Sequence, residues 1–138
     1  MTAADDLRDL AERYWEARLA ASPLFATFLG DHRYDDRADD LSAEAEAAQR
    51  DAWSAFASEA ASIPVVELDE TDRVTHHLLA EELRQAVDDL DLRLAELASD
   101  QMTGAHADLL MMAGQLHAPE PAHAAMAVTR IEALARML

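Results

Sequence analysis

Beyond Asp69 the chain carries Leu79, Leu83, Val87, Leu90, Leu94 and Leu97 in steps of three and four. That spacing puts all of them on one face of an α-helix. Such a helix gains little stability alone in water, so the stripe has to be buried against other helices. The rest of the chain can supply them. Only three glycines and four prolines punctuate its 138 residues. Ala, Leu, Glu, Arg and Asp fill the intervals, and no strand-like alternation competes. The expected fold is all-α, an array of about five to six helices.

Breakers and caps set the expected boundaries. The first helix is predicted over 3–21, with Leu7, Leu10, Tyr14 and Ala17 on a face widened by Ala11, Trp15 and Leu19. Asp5 and Asp6 suit its positive end. Pro23 opens a short helix whose apolar face is Phe25, Phe28 and Leu29, and Gly30 supplies the left-handed residue that ends it. A charged loop follows to Asp40. Ser42 is the expected N-cap of a helix to about residue 62, with Glu44 and Glu46 in its opening turns and Trp53 and Phe56 as core anchors. Pro64 stops that helix, residues 65–68 form a bridge, and Asp69 caps the longest helix, over 70–98. A polar turn at 99–104, a short helix at 105–113 and a break at 114–121 precede a last helix starting near Pro121 or Ala122. That helix is still apolar-periodic at Leu138, with no Gly, Asn or polar tail to stop it. This predicts either that 1–138 is a single helical segment forming the incomplete N-terminal piece of a larger domain, or that a partner covers the final helix.

Half the residues are apolar, enough for a core. The 11 basic and 28 acidic residues leave a net charge of −17, which would repel phosphate backbones and anionic lipids, so neither nucleic acid nor membrane is an expected partner. The absence of cysteine excludes disulfides, thiolate metal sites and thiol nucleophiles. With no export signal and no apolar run of about 20 residues, the expected location is cytoplasmic.

Candidate chemistry is sparse. None of the six histidines stands in a His-Glu-x-x-His arrangement. His77 and Glu81 could share one helix face, but zinc needs a third ligand, so the pair reads as solvated surface. His117 and His123 flank a Pro-Glu-Pro segment and read as surface loop histidines. No Gly-x-Ser-x-Gly elbow or Gly-rich phosphate cradle is present. Adjacent carboxylates such as Asp5 with Asp6 and Asp88 with Asp89 read as solvated surface in so acidic a chain. Met111, Met112, Trp15 and Trp53 read as core packing. No catalytic and no metal-ligating residue is therefore expected. Two segments stand out as substrate-binding candidates: Asp31, His32, Arg33, Tyr34 and Asp35 in the charged loop, and Gln101, Gly104 and His106 in the later polar turn. Loops that mix aromatic and charged groups are where binding concentrates, although Arg33 or Arg37 could simply pair with a neighbouring Asp.

These landmarks carry a resemblance. Tyr14-Trp15-Glu16, then Ser22-Pro23-Leu24-Phe25-Ala26-Thr27, then Leu29-Gly30-Asp31-His32-Arg33-Tyr34-Asp35-Asp36-Arg37 is similar to the N-terminal signature of the bacterial family catalogued as domain of unknown function number eight hundred and eighty-five. Asp72-Arg73 and Gln101-Met102-x-Gly104-x-His106 follow in the family's order, while Asp100, Thr103 and Leu110 depart from the usual Asn, Gly and Pro. Members of that family look like zinc metallopeptidases. The resemblance implies a helical, zincin-like peptidase fold, of which these helices would wall or cover the substrate cleft. It also implies a zinc cofactor for the full-length family, with no cofactor in this chain, a peptide-like substrate, and an isolated chain that is inactive. The rival expectation is a stand-alone acidic helical module that binds a protein partner by self-association.

Overall fold

The computed structural model describes residues 2–97, 107, 110, 114 and 120–137. The fold is all-α. Among the described residues there are five α-helices: α1 (Ala3–Ala21), α2 (Pro23–Phe28), α3 (Ala43–Ser62), α4 (Glu70–Asp91) and α5 (Pro121–Met137). Short 3-10 turns lie at His32–Tyr34, Val65–Glu67 and Leu94–Leu97. The turn expected at 99–104 lies outside the described residues. So does the helix expected at 105–113, apart from Ala107 and Leu110, both helical. No helix among the described residues is long and apolar enough to cross a membrane. The chain divides into two compact units, one made of Met1–Ala17 and Ala43–Ala95, the other of Arg18–Ser42 and Glu96–Leu138.

In the first unit α1 starts with reciprocal capping. The Thr2 hydroxyl donates to the Asp5 carboxylate at 2.8 Å, and the Asp5 N–H donates back to the Thr2 oxygen at 3.2 Å. The expected face of α1 is the buried one at Leu7, Leu10 and Tyr14, but Trp15 remains 45% exposed. Helices α3 and α4 pack against each other. They run antiparallel, with Arg50 on Asp91 at one end (2.8 and 3.1 Å) and His76 on Ala60 at the other. Ala60 is fully buried, and its small side chain permits that approach. Its carbonyl lies in the last turn of α3, where intrahelical donors run out, and the His76 Nε2–H donates to it at 2.8 Å. Asp69 caps α4 as expected, its carboxylate accepting from the Asp72 N–H at 2.8 Å.

Tyr14, Trp53 and Phe56 form the aromatic part of this core, with the Tyr14 ring edge-on to Trp53 at 5.3 Å and to Phe56 at 5.9 Å. Leu83 is fully buried, and Leu79, Val87 and Leu90 are half-buried. The stripe stops there. Arg93 takes a left-handed backbone conformation (φ 53°) and ends the helix at Asp91, so Leu94 and Leu97 fall in the 3-10 turn and are exposed. The last turn of α4 carries Asp88, Asp89 and Asp91 and no basic residue. That charge opposes continuation, because a helix C-terminus disfavours carboxylates.

The second unit contains α2, the 3-10 turn and α5. Pro23 opens α2 as expected. The first-turn donors are satisfied from a distance: Asp39 accepts from the Leu24 N–H at 3.2 Å and from the Ser22 hydroxyl at 2.7 Å. The buried side of α2 is Pro23, Leu24, Ala26 and Thr27, whereas Phe28 and Leu29, expected on the apolar face, are exposed.

Replacing Leu83 by Ala removes a fully buried side chain and lowers the stability of the first unit by about 2–5 kcal/mol. Val66 is 91% exposed, so Val66→Ala leaves it within about 0.5 kcal/mol. Urea unfolding followed by the fluorescence of Trp15 and Trp53, both in that unit, measures the two.

Candidate functional site

The candidate loop is placed by a helix stop. Gly30 adopts φ +87°, its N–H donates to the Thr27 carbonyl at 2.9 Å, and the Asp31 N–H reaches back to the Ala26 carbonyl at 2.9 Å. This is the glycine-terminated helix end expected from the sequence. It aims Asp31 into the next turn, where its carboxylate accepts from the Arg33 N–H at 3.1 Å. The same carboxylate accepts from Arg33 Nε at 3.0 Å and Nη2 at 2.6 Å. Hydrogen bonding from Arg33 holds the Asp31 carboxyl below its ordinary pKa. The Tyr34 ring is within cation–π distance of two guanidiniums, those of Arg33 and Arg37.

Beneath the loop sits Arg130, from α5, almost completely buried. Its Nε donates to the Arg37 carbonyl at 2.8 Å, Nη1 to the Thr27 hydroxyl at 2.8 Å, and Nη2 to the Tyr34 carbonyl at 2.6 Å and the Asp35 carboxylate at 3.3 Å. A buried guanidinium is tolerated when its donors are used and a countercharge is near. Burial lowers its pKa, while Asp35, Asp39 and Asp36 act in the opposite sense. Asp35 is buried with it. One carboxylate oxygen accepts from the Thr27 hydroxyl at 2.7 Å, and the other from the His32 Nδ1–H at 2.8 Å. Burial pushes the Asp35 carboxyl up, but Thr27, His32 and the Arg130 charge outweigh it and hold the carboxyl below its ordinary value. The loop backbone is thus tied to α5 through one side chain.

His32 donates its Nδ1–H to Asp35, and its ring is half-exposed. The His123 ring lies edge-on to it at 5.9 Å. His123 stands in the first turn of α5, not in a surface loop as expected, and its Nδ1 is buried without a hydrogen-bond partner among the described residues. Zinc, which the family resemblance implies, needs at least three protein donors. Among the described residues no three His, Cys, Asp or Glu could hold a metal. Two imidazoles, one of them held by Asp35, are fewer donors than zinc needs.

Of the substrate-binding candidates, Asp31, His32, Arg33, Tyr34 and Asp35 are thus brought together on one ordered turn, while Gln101, Gly104 and His106 lie outside the described residues. Within that turn, Asp31 and Arg33 neutralise each other and Asp35 is buried structure. Thr27 and Arg130 are central and sequence reasoning overlooked both. Nothing in the sequence distinguishes Arg130 from other helical arginines, although its i−3 and i+3 positions, Ala127 and Ala133, do mark an unusually apolar setting for a charge.

Residues 23–138 match the model of a family described as bacterial protein of unknown function (DUF885). No curated protein matches, and no solved structure matches.

Replacing Arg130 by Ala leaves Asp35 buried without its countercharge and destabilises the second unit by about 3–5 kcal/mol, whereas Thr27→Val costs about 1–2 kcal/mol. Hydrogen exchange of amides in α2 and the 31–37 loop reports both. Because the Asp35 pKa is depressed on folding, its contribution is fully present above the ordinary carboxylate pKa and is lost as pH falls through the folded value. Acid unfolding of Asp35→Asn therefore shows a shallower loss below about pH 4 than the unsubstituted chain.

Proposed function

The chain belongs to the DUF885 family of bacterial proteins, and on that premise we propose that its helices form the N-terminal wall or lid of the substrate cleft of a zincin-like metallohydrolase. The family match begins at Pro23 and so contains both the 31–37 loop and Arg130. The observation that carries the reading is the anchoring of that loop from beneath. Three contacts from one buried guanidinium fix its backbone and its one buried carboxylate, and a fourth ties the same guanidinium to Thr27 on α2. A segment that lines a cleft and meets substrate benefits from such preorganisation. Binding and positioning are the work assigned to this chain, with His32 and Tyr34 at the substrate, with Asp31, Arg33 and Asp35 shaping the turn that carries them, and with zinc and its general base supplied from elsewhere in the family fold. The substrate class is a peptide or a related amide.

A second reading, an acidic helical module that self-associates, is favoured by Val74 and Leu78. They stand one turn apart on α4 and are 56% and 62% exposed. Sizing chromatography separates the readings: a concentration-dependent dimer lost in Val74→Glu with Leu78→Glu supports the module.

For the hydrolase reading, the product of the intact gene is assayed against a mixture of short peptides, with zinc measured by mass spectrometry. The expected outcome is chelator-sensitive cleavage with about one zinc per chain, far less zinc on the 138-residue chain alone, and a KM raised about tenfold by Tyr34→Ala. Stoichiometric zinc on the 138-residue chain, or no cleavage of any peptide by the intact product, sinks the reading.

A further inference from the structure

Arg33 and Arg37 lie against the Tyr34 ring, 5.5 and 5.6 Å from its centre, but the two guanidiniums are in different states. Arg33 is committed to Asp31 through Nε and Nη2. The Arg37 guanidinium makes no hydrogen bond to any described residue. Its ion contact is with its own neighbour, Asp36, 3.8 Å from Nε and therefore beyond hydrogen-bond reach. Its side chain is 61% exposed.

The main chain of Arg37 is nevertheless held on both sides. Its N–H donates to the Tyr34 carbonyl at 3.0 Å, and its own carbonyl accepts from Arg130 Nε at 2.8 Å. A guanidinium resting on an aromatic face, on a backbone pinned from below, has already lost much of the freedom that binding would otherwise remove. Among the described residues none takes any of its five N–H donors.

We propose that Arg37 is the carboxylate-reading residue of this loop, pairing bidentately with a carboxylate of an extended peptide while Tyr34 serves as its shelf. The proposal rests on the peptidase reading and adds to it the substrate class, a peptide presenting a carboxylate. The planar fork of arginine matches a carboxylate or a phosphate. Here the monoanion is favoured. Asp31, Asp35, Asp36 and Asp39 share the neighbourhood in a chain of net charge −17, and repulsion grows with the charge of the ligand.

The test is direct binding to the 138-residue chain, read by the nitrogen-15 shift of Arg37 Nε. Three N-acetylated tetrapeptides are titrated: one with a free C-terminal carboxylate and no acidic side chain, its C-terminal amide, and an amide carrying one Glu. At least one carboxylate peptide binds about tenfold or more tighter than the uncharged amide, and which one does so identifies the terminal or the side-chain carboxylate as the group read. Arg37→Ala abolishes the preference, Arg37→Lys keeps part of it because the charge remains without the fork, Arg33→Ala preserves it, and Asp36→Asn strengthens it. The inference is overturned by the absence of any preference in the unsubstituted chain, by its survival in Arg37→Ala, or by its loss in Arg33→Ala. Because binding is read without turnover, a carboxylate preference alongside an intact gene product that cleaves nothing would refute the peptidase reading alone, and cleavage without the preference would refute the role of Arg37 alone.

Discussion

The buried guanidinium of Arg130 is the constraint from which the second unit is built. A charge taken out of water has to recover its lost hydration, and Arg130 does so on two carbonyls, one hydroxyl and one carboxylate of a single stretch of chain. The positions of those acceptors are then no longer independent. Thr27 must stand on the inner side of α2, Gly30 must turn the chain, and Asp35 must face inward rather than toward solvent. His32 inherits its orientation from Asp35, and Arg37 inherits its backbone position from Arg130. An exposed sequence of charged residues becomes a rigid turn because one cation lies beneath it.

The first unit is held differently. Its stability comes from apolar burial at Leu10, Leu83, Trp53 and Tyr14, and from an aromatic cluster of edge-on rings. The ion pairs that accompany it, Arg13 with Glu59 and Arg50 with Asp91, join helices at solvent-exposed positions. Such pairs contribute little each and are weakened by salt. Their greater value in a chain this acidic is to relieve repulsion among carboxylates, as where Arg84 stands between Glu81 and Asp88 near the negative end of α4. Hydrogen bonding from Arg84 and Gln85 brings the Glu81 carboxyl down to about 2, so Glu81 is already engaged by neighbours on its own helix.

Much of the helical framework could be read from residue spacing and from caps. Pro23, Gly30, Pro64 and Asp69 act through backbone geometry and local hydrogen bonds, which depend on near neighbours, and each behaves as its type dictates. The failures have physical causes of another kind. Arg93 ends α4 without a glycine, a choice of backbone conformation that no side chain announces. Phe28 and Leu29 are exposed because α2 turns Thr27 inward to meet Arg130, so a polar requirement overrides the apolar face. His123 belongs to a helix start beside His32, a pairing of residues far apart in the chain.

The sequence by itself determined the all-α class, most helix starts, the left-handed glycine at the head of the 31–37 loop and the family, because these rest on local chemistry and on the order of residues along the chain. Only the tertiary structure decided that Asp35 is buried beside Arg130, and that Arg33 is hydrogen-bonded to Asp31 while the Arg37 guanidinium has no hydrogen bond to any described residue. The reason is desolvation: whether a charge is a surface ornament or a structural anchor depends on what surrounds it in space, and an arginine 93 residues beyond Arg37 carries no mark in the sequence of the loop it will meet.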